Sequence, residues 1–174
     1  EKIIGQSLCC REEEHEKLLN ILTMQVKSKS SATVYISGVP GTGKTATVNS
    51  VLSYMKNQSS LKGLFEDLFI NAMSLSNPKQ LYEFLAEKIK GFPMTSTDSL
   101  NYLMEYFLDG SKKRKKILIL VVDEVDYLCT KKQDLFYNLY NWSSCNNSNL
   151  IVVSISNTFD LPEKMMNRKV SSRF

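Results

Sequence analysis

The fold of this chain is decided by the stretch Gly38-Val39-Pro40-Gly41-Thr42-Gly43-Lys44-Thr45. It fits the pattern G-x-x-x-x-G-K-[ST], in which glycines let backbone N–H groups turn towards an anion. The residues before it, Ala32–Ser37, are typical of a short β-strand, and those after it, Ala46–Lys56, are typical of a helix. This order predicts a phosphate-binding loop at a helix N-terminus, where the helix dipole adds partial positive charge.

Two side chains of this loop carry the chemistry expected of it. Lys44 supplies a full positive charge for the β- and γ-phosphates of a nucleotide, and the Thr45 hydroxyl is a ligand for Mg²⁺. The residues predicted to bind nucleotide share this loop or the first turn after it. They are Gly38, Val39, Pro40, Gly41, Thr42, Gly43, Lys44, Thr45 and Ala46.

A second site follows the apolar run Ile117–Val122, which is typical of a strand buried on both faces of a parallel sheet. The next residues are Asp123-Glu124-Val125-Asp126, and carboxylates at the end of such a strand lie at the ligand crevice of an open α/β sheet. We expect Asp123 to bind the nucleotide's Mg²⁺ together with Thr45, and Glu124 to polarise an attacking water. Asp126 is expected to cap the next segment or to pair with a basic side chain, instead of contacting the nucleotide.

A third polar residue, Asn157, follows the strand predicted over Leu150–Ile155. If this strand lies beside the acidic one, the Asn157 amide reaches the γ-phosphate or the lytic water. An amide can donate to a phosphate oxygen and accept from water, which suits a sensor of the terminal phosphate.

The remaining sequence alternates strand and helix patterns and predicts an α/β fold. A further strand is predicted over Phe65–Ala72. Helices are predicted over residues 11–26, 77–90, 97–108 and 133–143. The aromatic stripe of the last helix is interpreted as core, and the sequence shows no repeat and no second domain.

Composition limits the remaining possibilities. The chain has 174 residues, 43% of them hydrophobic, which suits one globular domain, and its net charge of +4 is too small to prove a nucleic-acid partner. The basic run Lys112–Lys116 is interpreted as a solvated loop, with a nuclear-localisation or DNA-facing patch as the alternative.

The four cysteines lack C-x-x-C spacing, which favours reduced thiols over zinc or disulfides, and the lone His15 excludes a histidine-based metal or triad site. No apolar run is long enough to span a membrane.

These elements resemble the AAA+ ATPases, and in particular the initiator branch that comprises the ATPases of the eukaryotic origin recognition complex and the helicase-licensing factor. Several segments along nearly the whole chain carry the resemblance. They are Leu8–Glu14, Tyr35–Val48, Val122–Asp126, Lys132–Asp134 with Tyr137–Leu139, Ile155–Glu163 and Val170–Arg173.

The resemblance implies a P-loop NTPase fold, a three-layer α/β sandwich with a mostly parallel sheet. Residues 1–174 would be one AAA+ nucleotide-binding domain that stops before the family's fifth strand, helical lid and winged-helix domain. Because the missing strand would flank Ala32–Ser37, that strand is expected to have an unpaired edge. An insert around Ser76–Lys90 would be the extra helix of initiator ATPases, which can approach DNA.

The resemblance also implies an activity. The chain would bind ATP or ADP with Mg²⁺ and hydrolyse ATP, using Glu124, Asn157 and Arg173 as catalytic residues, with Arg173 as a finger that points at a neighbour's nucleotide. Its partners would be the other subunits of the origin recognition complex, the licensing factor and double-stranded DNA, without a membrane. It would act in the nucleus, in DNA replication initiation and helicase loading.

Two alternatives stay open from the sequence. The chain could be the helicase-licensing paralogue of the same branch, or an ATP-dependent assembly and DNA-binding module with negligible turnover alone. A small-molecule P-loop kinase is disfavoured, since such kinases lack an Asp123-Glu124 pair followed by a strand that ends at Asn157.

Overall fold

Four parallel strands form the sheet at the centre of the described residues. The structure is a computed structural model and describes residues 11–108, 116–128, 134–145 and 147–158. The strands lie in the order β1-β4-β3-β2. They are β1 (Ala32–Ser37), β2 (Phe65–Asn71), β3 (Ile117–Asp123) and β4 (Leu150–Ser156). β3 and β4 are buried along their whole length, which explains their nearly unbroken apolar sequences.

Helices cover both faces of this sheet. Those in the described part of the chain are α1 (Glu12–Ser28), α2 (Lys44–Asn57), α3 (Gln80–Lys90), α4 (Ser96–Leu108) and α5 (Asp134–Ser144). α1 and α2 pack on the face that includes Ile119 and Val121 of β3, while α3, α4 and α5 pack on the face that includes Leu120 and Val122. Alternate residues of a strand point to opposite faces, so one strand serves both cores. The predicted three-layer α/β sandwich is confirmed.

Most predicted boundaries differ from the observed ones by one to three residues, and for three of them the local reason is clear. α2 begins at Lys44 instead of Ala46, because Gly43 is its N-cap and the end of the glycine loop is already helical. α3 begins at Gln80 instead of residue 77, because residues 77–82 first make turn hydrogen bonds, including one from the Gln80 N–H to the Asn77 carbonyl. β2 ends at Asn71, whose side chain caps a short 3₁₀ helix by accepting from the Met73 N–H.

β1 lies at the edge of the sheet in the part of the chain that the structure describes. It pairs with β4 from Ala32 to Ser37, and within those residues no other strand is bonded to its far side. The predicted edge is therefore present. No helix in the same residues combines the length and the apolar character that a membrane crossing requires.

Several predicted features lie outside the described residues. They are Arg173, three of the cysteines (Cys9, Cys10 and Cys129) and all of the basic run except Lys116. Lys116 itself is exposed and donates to the Glu66 carboxylate over 2.7 Å, as a residue on a solvated surface does. Cys145 is a free, partly exposed thiol.

The aromatic stripe of α5 is core, as predicted. Trp142 is 1% exposed and its ring stacks on Phe107 of α4, with ring centroids 5.3 Å apart.

Trp142→Ala is expected to lower the free energy of unfolding by about 3–5 kcal/mol, since the cavity adds to the lost burial. Urea unfolding measures this. Asn141→Ala on the same helix is the control, because Asn141 is exposed, and its effect should stay within about 0.5 kcal/mol. Equal effects of the two changes would contradict the packing.

Candidate functional site

The candidate site lies where the carboxyl ends of three adjacent strands meet. β4 is bonded to β1 on one side and to β3 on the other, and all three run in parallel. The glycine loop follows β1, Asp123 ends β3, and Asn157 comes directly after β4. The sequence-based condition for Asn157, that its strand neighbours the acidic strand, is met.

The glycine loop has the backbone conformation that its motif predicts. Gly41 and Gly43 have φ angles of 77° and 79°, in the left-handed region where side chains are disfavoured. A Cβ at either position would meet no atom within 4 Å, so the restriction is conformational and not one of space. The Thr42 hydroxyl donates to the Val39 carbonyl over 2.8 Å and closes the loop. Pro40, within the loop, and Ala46, just after it, are exposed.

Lys44, the first residue of α2, is buried, with 6% of its surface exposed. Its ammonium donates to the carbonyls of Gly38 and Val39 over 2.8 and 3.0 Å, and to Asn157 Oδ1 over 3.0 Å. A buried ammonium is stable only with such acceptors, and here they place it at the centre of the site.

Thr45 and Asp123 bring two hard oxygen donors together. The Thr45 hydroxyl donates to Asp123 Oδ2 over 2.8 Å, and Asp123 is 5% exposed. Within the described residues there is no group of three His, Cys, Asp or Glu side chains that could hold a metal ion. Mg²⁺ usually keeps several waters and takes only one or two protein oxygens together with phosphates, so this pair fits Mg²⁺.

Glu124 has an unusual backbone for a non-glycine residue. Its φ angle is 51°, and such conformations cost about 1–3 kcal/mol and persist only where the surrounding structure enforces them. Asp123 Oδ1 accepts from the Glu124 N–H over 2.9 Å, and the Glu124 carbonyl accepts from the Tyr127 N–H over 3.0 Å. The strained turn directs the Glu124 carboxylate to Asn157, whose Nδ2 donates to Glu124 Oε2 over 2.6 Å.

Asn157 therefore bridges two charged groups. Its amide oxygen accepts from Lys44 while its amide nitrogen donates to Glu124. This arrangement uses both halves of the amide and fixes which atom is oxygen. It joins the glycine loop, the end of β3 and the end of β4 in one hydrogen-bonded chain.

Among the described residues, Asp126 makes neither of the contacts that the sequence predicted, a cap of the next segment or a pair with a basic side chain. Its carboxylate accepts from the Ser156 hydroxyl, the Asn157 N–H and the Thr158 hydroxyl over 2.7, 2.8 and 2.7 Å. Burial raises the pKa of Asp126, but hydrogen bonds from Thr158, Asn157 and Ser156 outweigh it, so the pKa lies below its ordinary value of 3.8.

The structure brings together Lys44, Thr45, Asp123, Glu124 and Asn157, all of which were predicted to share a site. Arg173, the remaining predicted catalytic residue, lies outside the described residues. Sequence reasoning missed the bridge that Asn157 makes and the contacts of Asp126. The available signal was the pair of hydroxyl residues that flank Asn157, which suit an acceptor carboxylate.

Comparisons with known proteins agree with this geometry. Residues 7–153 match the family described as AAA ATPase domain. Origin recognition complex subunit 1 of Debaryomyces hansenii is 39% identical over 169 residues, which cover 96% of this chain and 21% of that protein. The protein of the same name from Homo sapiens is 36% identical over 172 residues, which cover 98% of this chain and 20% of that protein.

A solved structure of the Drosophila ORC bound to DNA also matches, with a TM-score of 0.86 and 36% identity. The match covers 95% of this chain and 43% of that chain. This chain thus spans about a fifth of the length of the curated relatives named above. The resemblance to initiator AAA+ ATPases that the sequence motifs indicated is confirmed.

Proposed function

This chain belongs to the AAA ATPase family, and from that premise we propose that it is the nucleotide-binding module of an origin recognition complex subunit. In this proposal it binds ATP with Mg²⁺ and hydrolyses it during DNA replication initiation and helicase loading, in the nucleus. The observation that carries the proposal is the series of hydrogen bonds from Lys44 through Asn157 to Glu124, which lies beside the Thr45–Asp123 pair. The protein that contains it is 36–39% identical to subunit 1 of that complex.

In this proposal the glycine loop binds the phosphates of the nucleotide. The amides at the start of α2 point out of the helix end, and Lys44 lies beside them with a full charge. Thr45 and Asp123 would hold Mg²⁺ through the hydroxyl oxygen and the carboxylate oxygen that are now joined by a hydrogen bond of 2.8 Å, donated by Thr45. When bound, Mg²⁺ supplies positive charge for the phosphoryl group that is transferred.

Hydrolysis requires a base and a group that responds to the γ-phosphate. The Glu124 carboxylate is the acceptor for a proton of the attacking water, and Asn157 Nδ2 holds it in place by donating to Oε2 over 2.6 Å. Asn157 also contacts the Lys44 ammonium, which is the group expected to meet the γ-phosphate. Binding of the γ-phosphate to Lys44 would thus change the hydrogen bond between Lys44 and Asn157, and through it the position of Glu124.

The proposed partners rest on the relatives. The Drosophila structure that matches this chain is described as ORC bound to DNA. By that likeness we propose double-stranded DNA and the other subunits of an origin recognition complex as partners. The licensing factor is proposed as a further partner on the resemblance of the sequence motifs to the initiator branch. The net charge of +4 is compatible with DNA but does not require it.

A steady-state ATPase assay with and without the partner subunits tests the function. We expect weak turnover by the isolated protein and clear stimulation by the partners, with saturable ATP binding in both cases. Saturable binding with no turnover in the assembled complex would favour the assembly module instead. Failure to bind ATP in either state would overturn the proposed function.

Arg173 is proposed to act on a neighbour's nucleotide. A planar guanidinium suits a developing phosphate charge, and this role comes from the resemblance, since the residue lies outside the described part of the chain. Arg173→Ala is expected to leave ATP binding by this chain unchanged and to lower turnover at the partner's site. The measurement mixes the variant with unmodified partners. Loss of ATP binding by this chain, with normal partner turnover, would show that Arg173 acts in cis.

A further inference from the structure

We infer that Asp126 is a positioning residue for Asn157, and that through Asn157 it sets the preference of this site for ATP over ADP. The inference rests on the proposed function, since it concerns the same nucleotide site. It assigns a role to an acidic residue that the phosphate-binding motifs leave unexplained.

The contacts of Asp126 converge on one turn. Oδ1 accepts from the hydroxyls of Ser156 and Thr158, each over 2.7 Å, and Oδ2 accepts from the Asn157 N–H over 2.8 Å. The two oxygens together hold three successive residues at the end of β4. Hydrogen bonds to a carboxylate are stronger than neutral ones, so this turn is held firmly.

The opposite side of the turn is also held. The Tyr35 hydroxyl, from β1, donates to the Thr158 carbonyl over 2.7 Å, and Ser156 is 1% exposed. With its backbone fixed from both sides, Asn157 keeps only side-chain rotation. That rotation is fixed in turn by Lys44 and Glu124.

Asp126 is itself rigidly placed. It belongs to the 3₁₀ helix Val125–Leu128 that follows Asp123 and Glu124, and Val125 and Leu128 are buried in the core with 0% and 1% exposed. The segment that carries the proposed Mg²⁺ ligand and base therefore also carries the clamp for Asn157. These contacts make Asp126 a link between the ends of β3 and β4 that reaches the nucleotide through Asn157.

A misplaced Asn157 is expected to affect only nucleotides that carry the terminal phosphate. ADP lacks the phosphate that Asn157 is proposed to sense, so a misplaced Asn157 should weaken ATP binding and leave ADP binding nearly unchanged. A general loss of structure would weaken both nucleotides alike. The ratio of the two affinities separates positioning from stability.

The experiment compares Asp126→Asn, Asn157→Ala and the double variant in the full-length protein. The dissociation constants for ATP and ADP are measured by displacement of a fluorescent nucleotide. Asp126→Asn keeps the size of the side chain and replaces one acceptor oxygen with a donor. Asp67→Asn is the matched control, because Asp67 also accepts from a partner, Lys56, over 2.8 Å but lies on β2 away from the site.

We expect Asp126→Asn and Asn157→Ala each to lower the ATP-over-ADP preference by about tenfold, the loss of one charge-assisted contact. The double variant should show no further loss, because both changes remove the same interaction. Asp67→Asn should keep the unmodified ratio. Hydrogen exchange at the Asn157 amide should be faster in Asp126→Asn than in the unmodified protein.

Two results would overturn the inference. If Asn157→Ala lowers the ratio and Asp126→Asn does not, Asp126 has only a structural role, and the proposed function stands. If neither change alters the ratio while ATP still binds, Asn157 does not sense the terminal phosphate, and its proposed role fails as well. Should Asp126→Asn unfold, Ser156→Ala replaces it, since it removes one donor to Asp126 and leaves the carboxylate in place.

Discussion

Lys44→Ala is expected to abolish ATP binding at concentrations that saturate the unmodified protein. The ammonium of Lys44 is buried at the N-terminus of α2 and already lies among oxygen acceptors within 3.0 Å. Removal of one member of a desolvated charged pair costs about 2–5 kcal/mol, which is about 30-fold to several thousand-fold in Kd. Isothermal calorimetry with ATP measures the loss.

The controls for Lys44→Ala separate charge from folding. Lys44→Met keeps the aliphatic stem and should lose affinity as strongly as the alanine variant, because the charge is the decisive group. Lys56→Ala, on the same helix, removes an ammonium that pairs with Asp67 at the surface and should leave ATP affinity unchanged. Unchanged affinity in both Lys44 variants, with normal unfolding temperatures, would refute the phosphate-loop assignment.

The elements of the fold were predictable wherever a long pattern carried the signal. The fully buried strands Ile117–Asp123 and Leu150–Ser156 are nearly unbroken apolar runs, and burial on both faces permits little else. The glycine loop was predictable because its backbone requires φ angles near 77° at Gly41 and 79° at Gly43.

The boundaries were less predictable because short-range hydrogen bonds decide them. The residues before α3 form a turn, in which Gln80 N–H donates to Asn77 and Leu81 N–H to Pro78, and a turn and a first helical turn look alike in sequence. The short 3₁₀ helices, such as Val125–Leu128, span too few residues to show a period.

The members of the site were predictable, but their mutual contacts were not. Motifs place Lys44, Glu124 and Asn157 at the same edge of the sheet, and the strand order supports this placement. The bridge of Asn157 between Lys44 and Glu124 depends on side-chain rotamers and on the φ angle of 51° at Glu124, which no local pattern encodes. The clamp by Asp126 joins residues 30 to 32 positions apart, so only the fold reveals it.

Glu124→Gln is expected to retain ATP binding and to lower turnover in the assembled complex by about 10²–10⁴. Glutamine has the same shape, and its amide oxygen can still accept from Asn157 Nδ2, which now donates to Glu124 over 2.6 Å. It cannot take up a proton from water or stabilise positive charge that develops there. The strained backbone should persist, because Asp123 accepts from the residue 124 N–H in both proteins. Single-turnover hydrolysis of bound ATP measures the chemical step directly.

Glu66→Gln is the matched control for Glu124→Gln, since it makes the same chemical change on β2, in an exposed pair with Lys116. Its turnover should equal that of the unmodified complex, as surface ion pairs contribute little. A loss confined to Glu124→Gln, with ATP affinity preserved, places the defect in chemistry and not in binding. Equal single-turnover rates for Glu124→Gln and the unmodified complex would remove Glu124 from the mechanism. The hydrogen bond to Asn157 and the left-handed backbone of Glu124 would then have a structural role and not a catalytic one.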